Sequence, residues 1–375
     1  MLQTVLIKPA SGLCNMQCDY CFYCDEAAKR DVASYGMMEI ETIENIIRKV
    51  LKQGKGNICF AFQGGEPTLR GLEFFEKVIK FEHKYNIHKC EILNTLQTNG
   101  FCVDDKWCRF LKKHEFLLGV SVDGTETLHN LHRHDKNGAD TYQKVKNSIA
   151  MFEKYQIEYN ILTVVNRQVA ENVKEIYKEY KQNGWKYQQY ITCLDPFGEP
   201  KGQRPYSLTP EIYGQFLIDL SQLWYKDKDW RRGKAPYIRQ FENYVGILLG
   251  YPPESCEQRG ICSVQCVTEA DGSVYPCDSY VMDAYRLGNF NNDPITDFFE
   301  RKEAKQFVEE SKKWSEQCKQ CEYFSLCRSG CRRSRVEEKD TGTYRNYFCE
   351  GYRKFFQVCG ANLMEIAKYV SEERS

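Results

Sequence analysis

The sequence predicts an α/β fold: a partial, open (β/α)6 barrel followed by a cysteine-rich C-terminal domain. Apolar strand-like runs alternate with amphipathic helical patterns through residues 1–195. Motifs rich in Gly, Asn, Asp and Pro close successive strands, and cysteines crowd the chain after position 255. Alternating strands and helices build a parallel sheet with right-handed crossovers. Six such units fall short of a closed TIM barrel and suit a partial, TIM-like one.

The expected strands are Gln3–Lys8, Ile58–Gln63, Cys90–Gln97, Phe116–Val122, Ile157–Val165 and Lys186–Ile191. Between them apolar residues recur three and four apart, the spacing of a helix face laid on a sheet. Ile40, Ile43, Ile47, Val50 and Leu51 form one such face, and Phe74, Phe75, Val78 and Ile79 another. Gln63-Gly64-Gly65-Glu66-Pro67 follows the second strand and Gln97-Thr98-Asn99-Gly100 ends the third. Ser121-Val122-Asp123-Gly124 ends the fourth, and Cys193-Leu194-Asp195-Pro196 closes the sixth. Each is also an ordinary turn sequence. Repeated at one end of successive strands, they point to a shared mouth, where such barrels hold their active sites.

Residues 197–240 change character, from the Pro-, Gly- and Arg-containing Gly198–Pro205 to a helical pattern with Phe216, Leu217, Leu220, Leu223 and Trp224. The expected division is therefore 1–234 for the barrel and 235–375 for the cysteine-rich domain with a C-terminal helix.

Charge and cysteine usage narrow the function. Lys+Arg and Asp+Glu both number 52 in 375 residues, so the formal net charge is zero. No uniform field draws such a chain to nucleic acid or to a membrane surface. The N-terminus lacks a charged segment leading into a long apolar one, and no apolar run reaches about eighteen residues. A soluble, cytoplasmic protein is expected. Nineteen cysteines without an export signal point to metal or cluster ligation, because cytosolic thiols stay reduced. Cys59, Cys90, Cys102, Cys108 and Cys193 are scattered and read as buried small apolar residues.

Cys14, Cys18 and Cys21 are spaced C-x3-C-x2-C near the end of the first strand. Three thiolates can hold three irons of a [4Fe–4S] cube and leave the fourth iron open to a substrate. The competing reading is a redox pair or a zinc knuckle, with Cys24 as the fourth ligand that structural zinc requires. A second field holds Cys262-x9-Gly272-x4-Cys277, then Cys318-x2-Cys321-x5-Cys327-x3-Cys331, with Cys349 beyond. Gly272 suits a tight hairpin over Glu269–Ser273 that brings Cys262 and Cys277 side by side. Two sets of four thiolates satisfy two cubes or structural zinc equally well.

These stretches carry a resemblance. C-x3-C-x2-C with Tyr20 before its last cysteine resembles the signature of radical S-adenosylmethionine (SAM) enzymes. The second field is similar to the SPASM extension of peptide-modifying members, with Cys256 as an eighth ligand. Together with Ile7-Lys8-Pro9-Ala10-Ser11, Phe62–Leu69, Leu96–Gly100, Leu194-Asp195-Pro196 and Val274-Tyr275-Pro276-Cys277-Asp278, the chain most resembles anaerobic sulfatase-maturating enzymes over nearly its whole length. Thr125 stands where Pro is usual in that family, and Ser279 where an aromatic is common.

The resemblance implies an oxidoreductase that converts an active-site Cys or Ser of a sulfatase to Cα-formylglycine (3-oxoalanine), with three [4Fe–4S] clusters and SAM as cofactors. Cys14, Cys18 and Cys21 would hold the SAM-binding cluster. Cys256, Cys262, Cys277 and Cys331 would hold one auxiliary cluster, and Cys318, Cys321, Cys327 and Cys349 the other, leaving Cys24, Cys266 and Cys359 as non-ligands. Gly64, Gly65 and Glu66 would meet the SAM methionine, Tyr20 and Leu194 the adenosine, and Ser121 and Arg133 further SAM groups, Arg133 the carboxylate. Asp278 is the implied base for the thiol or hydroxyl proton, against the plainer reading of a turn residue that accepts hydrogen bonds. Tyr23 and Gln63 are weaker candidates for lining the peptide site.

The implied partners are a monomer's own: a sulfatase or peptide bearing Cys/Ser-x-Pro/Ala-x-Arg, and an electron donor such as a flavodoxin or ferredoxin. A maturase of a ribosomally made peptide, forming thioether or carbon–carbon links or epimerising residues, is the nearest enzyme alternative. Such maturases often carry an N-terminal leader-binding domain, for which a first strand at Gln3 leaves no room. A zinc scaffold or a plain electron carrier is the alternative of another class. His129, His132 and His134 sit in a polar stretch and are expected to be solvent-exposed rather than metal ligands.

Overall fold

A computed structural model describes residues 4–227, 231 and 234–373 of the chain. Gln3, the first residue of the first expected strand, lies outside them. In chain order the strands are β1 (Thr4–Ile7), β2 (Met16–Cys18), β3 (Asn57–Phe62), β4 (Glu91–Thr98), β5 (Leu117–Ser121), β6 (Arg133–Asp135) and β7 (Tyr159–Val165). They continue as β8 (Tyr187–Thr192), β9 (Tyr237–Ile238), β10 (Val267–Thr268), β11 (Ser273–Tyr275), β12 (Gly288–Asn289), β13 (Arg335–Glu337) and β14 (Tyr344–Asn346). All six strands expected from the sequence are present, as β1, β3, β4, β5, β7 and β8, with ends shifted by a residue or two.

The chain forms two compact units. One comprises Met1–Val122, Asn130–Asn160 and Ser263–Phe307, the other Asp123–His129, Ile161–Cys262 and Val308–Ser375. Neither is a continuous stretch of sequence.

In the first unit β1, β3, β4 and β5 pair in parallel in that order. Alternation sets their faces: Val5 and Ile7, then Ile58, Phe60 and Phe62, are fully buried on one side. The helix Ile40–Gln53 covers that side with Ile43, Ile46, Ile47, Val50 and Leu51. The helix Leu72–Tyr85 adds Phe74, Phe75, Val78 and Ile79, and Phe75 meets the rings of Phe62, Trp107 and Phe116 edge-on. Each such buried side chain contributes about 1.5–3 kcal/mol.

The other edge of β1 holds what the sequence reading left in the cysteine-rich domain. β10 pairs with β1 in parallel, Leu6 opposite Val267 and Ile7 opposite Thr268. β11 returns antiparallel to β10, and β12 pairs with β11. The hairpin expected at Gly272 is there: Gly272 has φ +86° and its N–H donates to Glu269 O at 2.9 Å. A side chain at that position would also run into Asn289 Oδ1 at 2.8 Å. Gln265 N–H donates to Pro276 O at 2.8 Å, which continues the ladder towards Cys277.

In the second unit β7 and β8 pair in parallel and β9 adds to β8. The helices Pro210–Lys226 and Cys349–Glu373 pack together, with Tyr213 against Phe348 and Tyr352. Among the described residues no helix is long and apolar enough to cross a membrane.

Two expectations fail. His129 is fully buried and His132 nearly so, because their polar stretch is ordered as a helix, Glu126–His132, running into β6. His129 Nδ1 accepts from Asp123 N–H at 3.3 Å, and His132 Nδ1 sits 2.9 Å from Asp19 Oδ2. Cys102 is exposed rather than buried, with Asn15 Nδ2 2.9 Å from its sulfur, and Cys59 is only half-buried.

Candidate active site

The register of three neighbouring strands defines the site. Ile7 pairs with Phe62 on one side and Thr268 on the other. The next residues, Gln63, Lys8 and Glu269, therefore stand in one row at the C-terminal ends of β3, β1 and β10. Lys8 shares a strand face with Leu6, which packs on Val267, Tyr275 and Val281, so the ammonium is buried at 1 % exposure.

Asp278 opens the short helical turn Asp278–Tyr280 after Cys277. Its Oδ2 accepts from Tyr23 Oη and from Gln63 Nε2, both at 2.7 Å. Its Oδ1 is buried 3.3 Å from Lys8 Nζ without hydrogen-bond geometry. Lys8 Nζ also lies 3.4 Å from Glu269 Oε1 and 3.8 Å from Glu26 Oε2, with the Tyr23 ring centroid at 4.5 Å. Arg30 Nη1 donates to Glu269 Oε1 at 2.8 Å.

Protonation follows from these contacts. Burial, reinforced by Asp278, holds the Tyr23 phenol well above its usual range, so it stays a donor. Burial pushes the Glu26 carboxyl up to about 8. Burial opposes ionisation of Glu269, but Lys8 and Arg30 outweigh it and hold that carboxyl below its usual range. Of this group the sequence singled out only Asp278, Tyr23 and Gln63. Lys8, Glu26, Arg30 and Glu269 were missed, although a lysine following the buried Val5–Ile7 alternation is a readable anomaly.

The three N-terminal cysteines sit on the loop β2 closes and the helix Phe22–Ala28 follows. Donors aim at the sulfurs: Met16 N–H at 3.4 Å and Asn99 Nδ2 at 3.5 Å from Cys14, and Arg133 Nη1 at 3.9 Å from Cys18. Such donors suit thiolates that ligate iron. Burial pushes the Cys14 thiol up to about 11, whereas a bond from Cys24 lowers Cys21 to about 6. β2 pairs with β6 so that Cys18 faces Arg133. Arg133 lies over the Tyr20 ring, 5.6 Å from its centroid. Tyr20, Cys18 and Arg133 are thus brought together.

The Gly-Gly-Glu stretch packs on the same loop. Gly65 N–H donates to Ser11 O and Glu66 N–H to Leu13 O, each at 2.8 Å. A Cβ on Gly65 would stand 2.0 Å from Leu13 O. Glu66 is fully buried. Its Oε1 accepts from Thr68 N–H, Thr68 Oγ1 and Thr98 Oγ1, and its Oε2 from Asn99 N–H. Ser121 accepts from Gln97 Nε2 at 3.1 Å.

Leu194 follows β8 in the second unit and is half-buried. That unit also holds Cys256, Cys262, Cys331, Cys318, Cys321, Cys327 and Cys349, while Cys277 belongs to the first. Burial pushes the thiols of Cys331 and Cys327 up to about 12 each. Cys331 feels Cys256 and Cys262, and Cys327 feels Cys349, Cys318 and Cys321. Buried thiols of this kind ionise when a metal takes the place of the proton. None of the nineteen cysteines is in a disulfide. Among the described residues no three His, Cys, Asp or Glu side chains converge to hold a single metal ion.

A parallel βα sheet with a three-cysteine loop at its strand ends, followed by a cysteine-rich extension, defines a radical SAM enzyme with added iron–sulfur sites. The family models agree: residues 9–180 match the radical SAM superfamily and 260–322 an iron–sulfur cluster-binding domain, SPASM. The chain is 43 % identical to a cysteine-type anaerobic sulfatase-maturating enzyme of Clostridium perfringens, over 98 % of this chain and 99 % of that one. It is 40 % identical to a cysteine-type enzyme of Clostridium novyi over 97 % of each. The solved structure of native anSMEcpe with bound AdoMet and Kp18Cys peptide superposes with a TM-score of 0.92 at 43 % identity, covering 98 % of this chain and 99 % of that one. The chain belongs to the anaerobic sulfatase-maturating enzymes.

Proposed function

We propose that this enzyme oxidises a cysteine of a sulfatase to Cα-formylglycine, with Asp278 as the proton acceptor. The observation that carries the reading is the Asp278 carboxylate, fixed by Tyr23 and Gln63 at the strand ends in the same compact unit as the three-cysteine loop. Its likeness to the cysteine-type relatives favours cysteine over serine as the target.

The substrate must give up a hydrogen atom from Cβ, a thiol proton and one electron to become a thioaldehyde; water then replaces sulfur, which leaves as hydrogen sulfide. When bound, the N-terminal cluster and SAM supply the hydrogen-atom abstraction. Cys14, Cys18 and Cys21 would hold that cluster, with Tyr20, Gly64, Gly65, Glu66, Ser121, Arg133 and Leu194 around SAM. Cys256, Cys262, Cys277 and Cys331 would hold one auxiliary cluster, and Cys318, Cys321, Cys327 and Cys349 the other. Asp278 takes the thiol proton, and Tyr23 and Gln63 hold the carboxylate facing it. A free carboxylate is a weak base for a thiol of pKa about 8.5. A fixed one acts when proton and electron leave together.

The target motif is Cys-x-Pro/Ala-x-Arg, and a flavodoxin or ferredoxin supplies electrons to a cytoplasmic monomer. Residues 1–234 carry the SAM-binding residues, and 235–375 the auxiliary ligands together with Asp278. Anaerobic incubation of a Cys-x-Pro-x-Arg peptide with reconstituted enzyme, SAM and reductant tests the reading. Mass spectrometry should show a loss of about 18 mass units, the change from CH2–SH to CHO. An unchanged peptide beside released 5′-deoxyadenosine would sink it.

A further inference from the structure

We propose that Lys8 is a positioning residue for this reaction: pinned from behind by Glu269, it anchors the inner oxygen of Asp278 so that the outer oxygen stays between Tyr23 and Gln63. The inference rests on Asp278 being the proton acceptor.

Lys8 is buried at 1 % exposure, where an unpaired ammonium would cost several kcal/mol. Carboxylates face it from three elements: Glu26 on the helix Phe22–Ala28, Glu269 after β10, and Asp278 after Cys277. Arg30 is the only other cation of the group, and it is committed to Glu269 and to Ala33 O. Lys8 Nζ stands nearer to Asp278, at 3.3 Å, than to Glu269 at 3.4 Å or Glu26 at 3.8 Å. Lys8 is therefore the cation that serves Asp278.

The consequence is geometric. An aspartate carboxylate turns about one soft torsion, and its two oxygens move together as that torsion turns. The ammonium 3.3 Å from Oδ1 restrains that torsion from the inner side without occupying the oxygen that carries Tyr23 and Gln63. Lys8 is in turn held by the row of strand ends, where its neighbours Gln63 and Glu269 are fixed by register. Groups that do chemistry need supporting contacts of this kind, since a displacement of about 1 Å can cost a hundredfold in rate.

The test compares Lys8→Met and Lys8→Arg with the parent as reconstituted enzymes, reading iron content, 5′-deoxyadenosine and peptide aldehyde. Lys8→Arg keeps the charge but not its place, and decides the matter should Lys8→Met fail to fold. Iron and deoxyadenosine stay at parent level for Lys8→Arg, while aldehyde per deoxyadenosine falls about tenfold or more with peptide KM unchanged. In an Asp278→Asn background the same change has no further effect. A parent ratio in Lys8→Arg, or a second additive loss in the Asp278→Asn background, would overturn the proposal. If Asp278→Asn itself made aldehyde at the parent rate, the reading of the base would fall instead.

Discussion

Tyr23 reaches across 255 positions of sequence to donate to Asp278 Oδ2 at 2.7 Å. Burial keeps its phenol protonated, so it serves as a fixed donor rather than a second base. Asp278→Asn should retain parent iron content and SAM cleavage and lose about 10²–10⁴-fold in aldehyde formation, the usual weight of a general base. Tyr23→Phe removes one hydrogen bond to a charged group, about 1.5–3 kcal/mol, and should lower aldehyde formation by roughly ten- to a hundredfold. Chromatographic assay of aldehyde against 5′-deoxyadenosine reads both. An Asp278→Asn enzyme with parent aldehyde would remove the base from the mechanism.

Much of this site was legible because short spacings survive folding. C-x3-C-x2-C, the Gly-Gly-Glu stretch and the Gly272 hairpin are local patterns, and the hairpin forms where the turn rule puts it. The six strands were legible for the same reason: each carries its own apolar alternation. What could not be read was register. Glu269 looked like a turn residue until β10 paired with β1 and set it beside Lys8. Glu26 lies in a charged helix whose sequence gives no sign that its carboxyl is 2 % exposed. The histidines mislead because polarity suggests exposure, whereas the helix Glu126–His132 and the pairing of β2 with β6 order this polar stretch.

The cysteine loop predicts a separable loss. Cys14→Ala removes one of the three N-terminal thiolates and the sulfur that Met16 and Asn99 address. Iron should fall by about a third, one cube of three, and SAM cleavage should vanish, while the ultraviolet–visible signature of the remaining cubes persists. Retained 5′-deoxyadenosine production would show that the SAM site lies elsewhere.

Arg335 predicts the loss of one auxiliary site. It is buried and donates to four carbonyls, those of Ser329, Ser311, Gly260 and Gly330. These carbonyls fix the segments that carry Cys262 and Cys331. Arg335→Met should leave several buried acceptors unpaired, each costing about 1–3 kcal/mol. The variant is expected to lose about a third of its iron yet still cleave SAM. Full iron content by chemical analysis would show that Arg335 supports the fold without supporting an auxiliary site.

Glu82 predicts how stability changes with pH. It lies at 5 % exposure on the helix Leu72–Tyr85, where Asn94 Nδ2 donates to its Oε2 at 3.1 Å and its Oε1 has no hydrogen-bond partner. Burial pushes its carboxyl up to about 7, against about 4.3 in an unfolded chain. Below the unfolded value both states hold the proton and nothing is lost. As pH rises towards 7 the unfolded chain releases its proton first, so the folded state binds more protons and stability falls. The penalty is complete above about pH 7 and amounts to at most about 4 kcal/mol, at 1.36 kcal/mol per pKa unit. Glu82→Gln keeps the partner for Asn94 and never ionises. Its unfolding midpoint should match the parent near pH 4.5 and exceed it at pH 8. Glu26 and Glu242, also pushed up by burial, titrate in both proteins and cancel in the difference. A gap of equal size at the two pH values would mean that Glu82 acts through its shape and not through its charge.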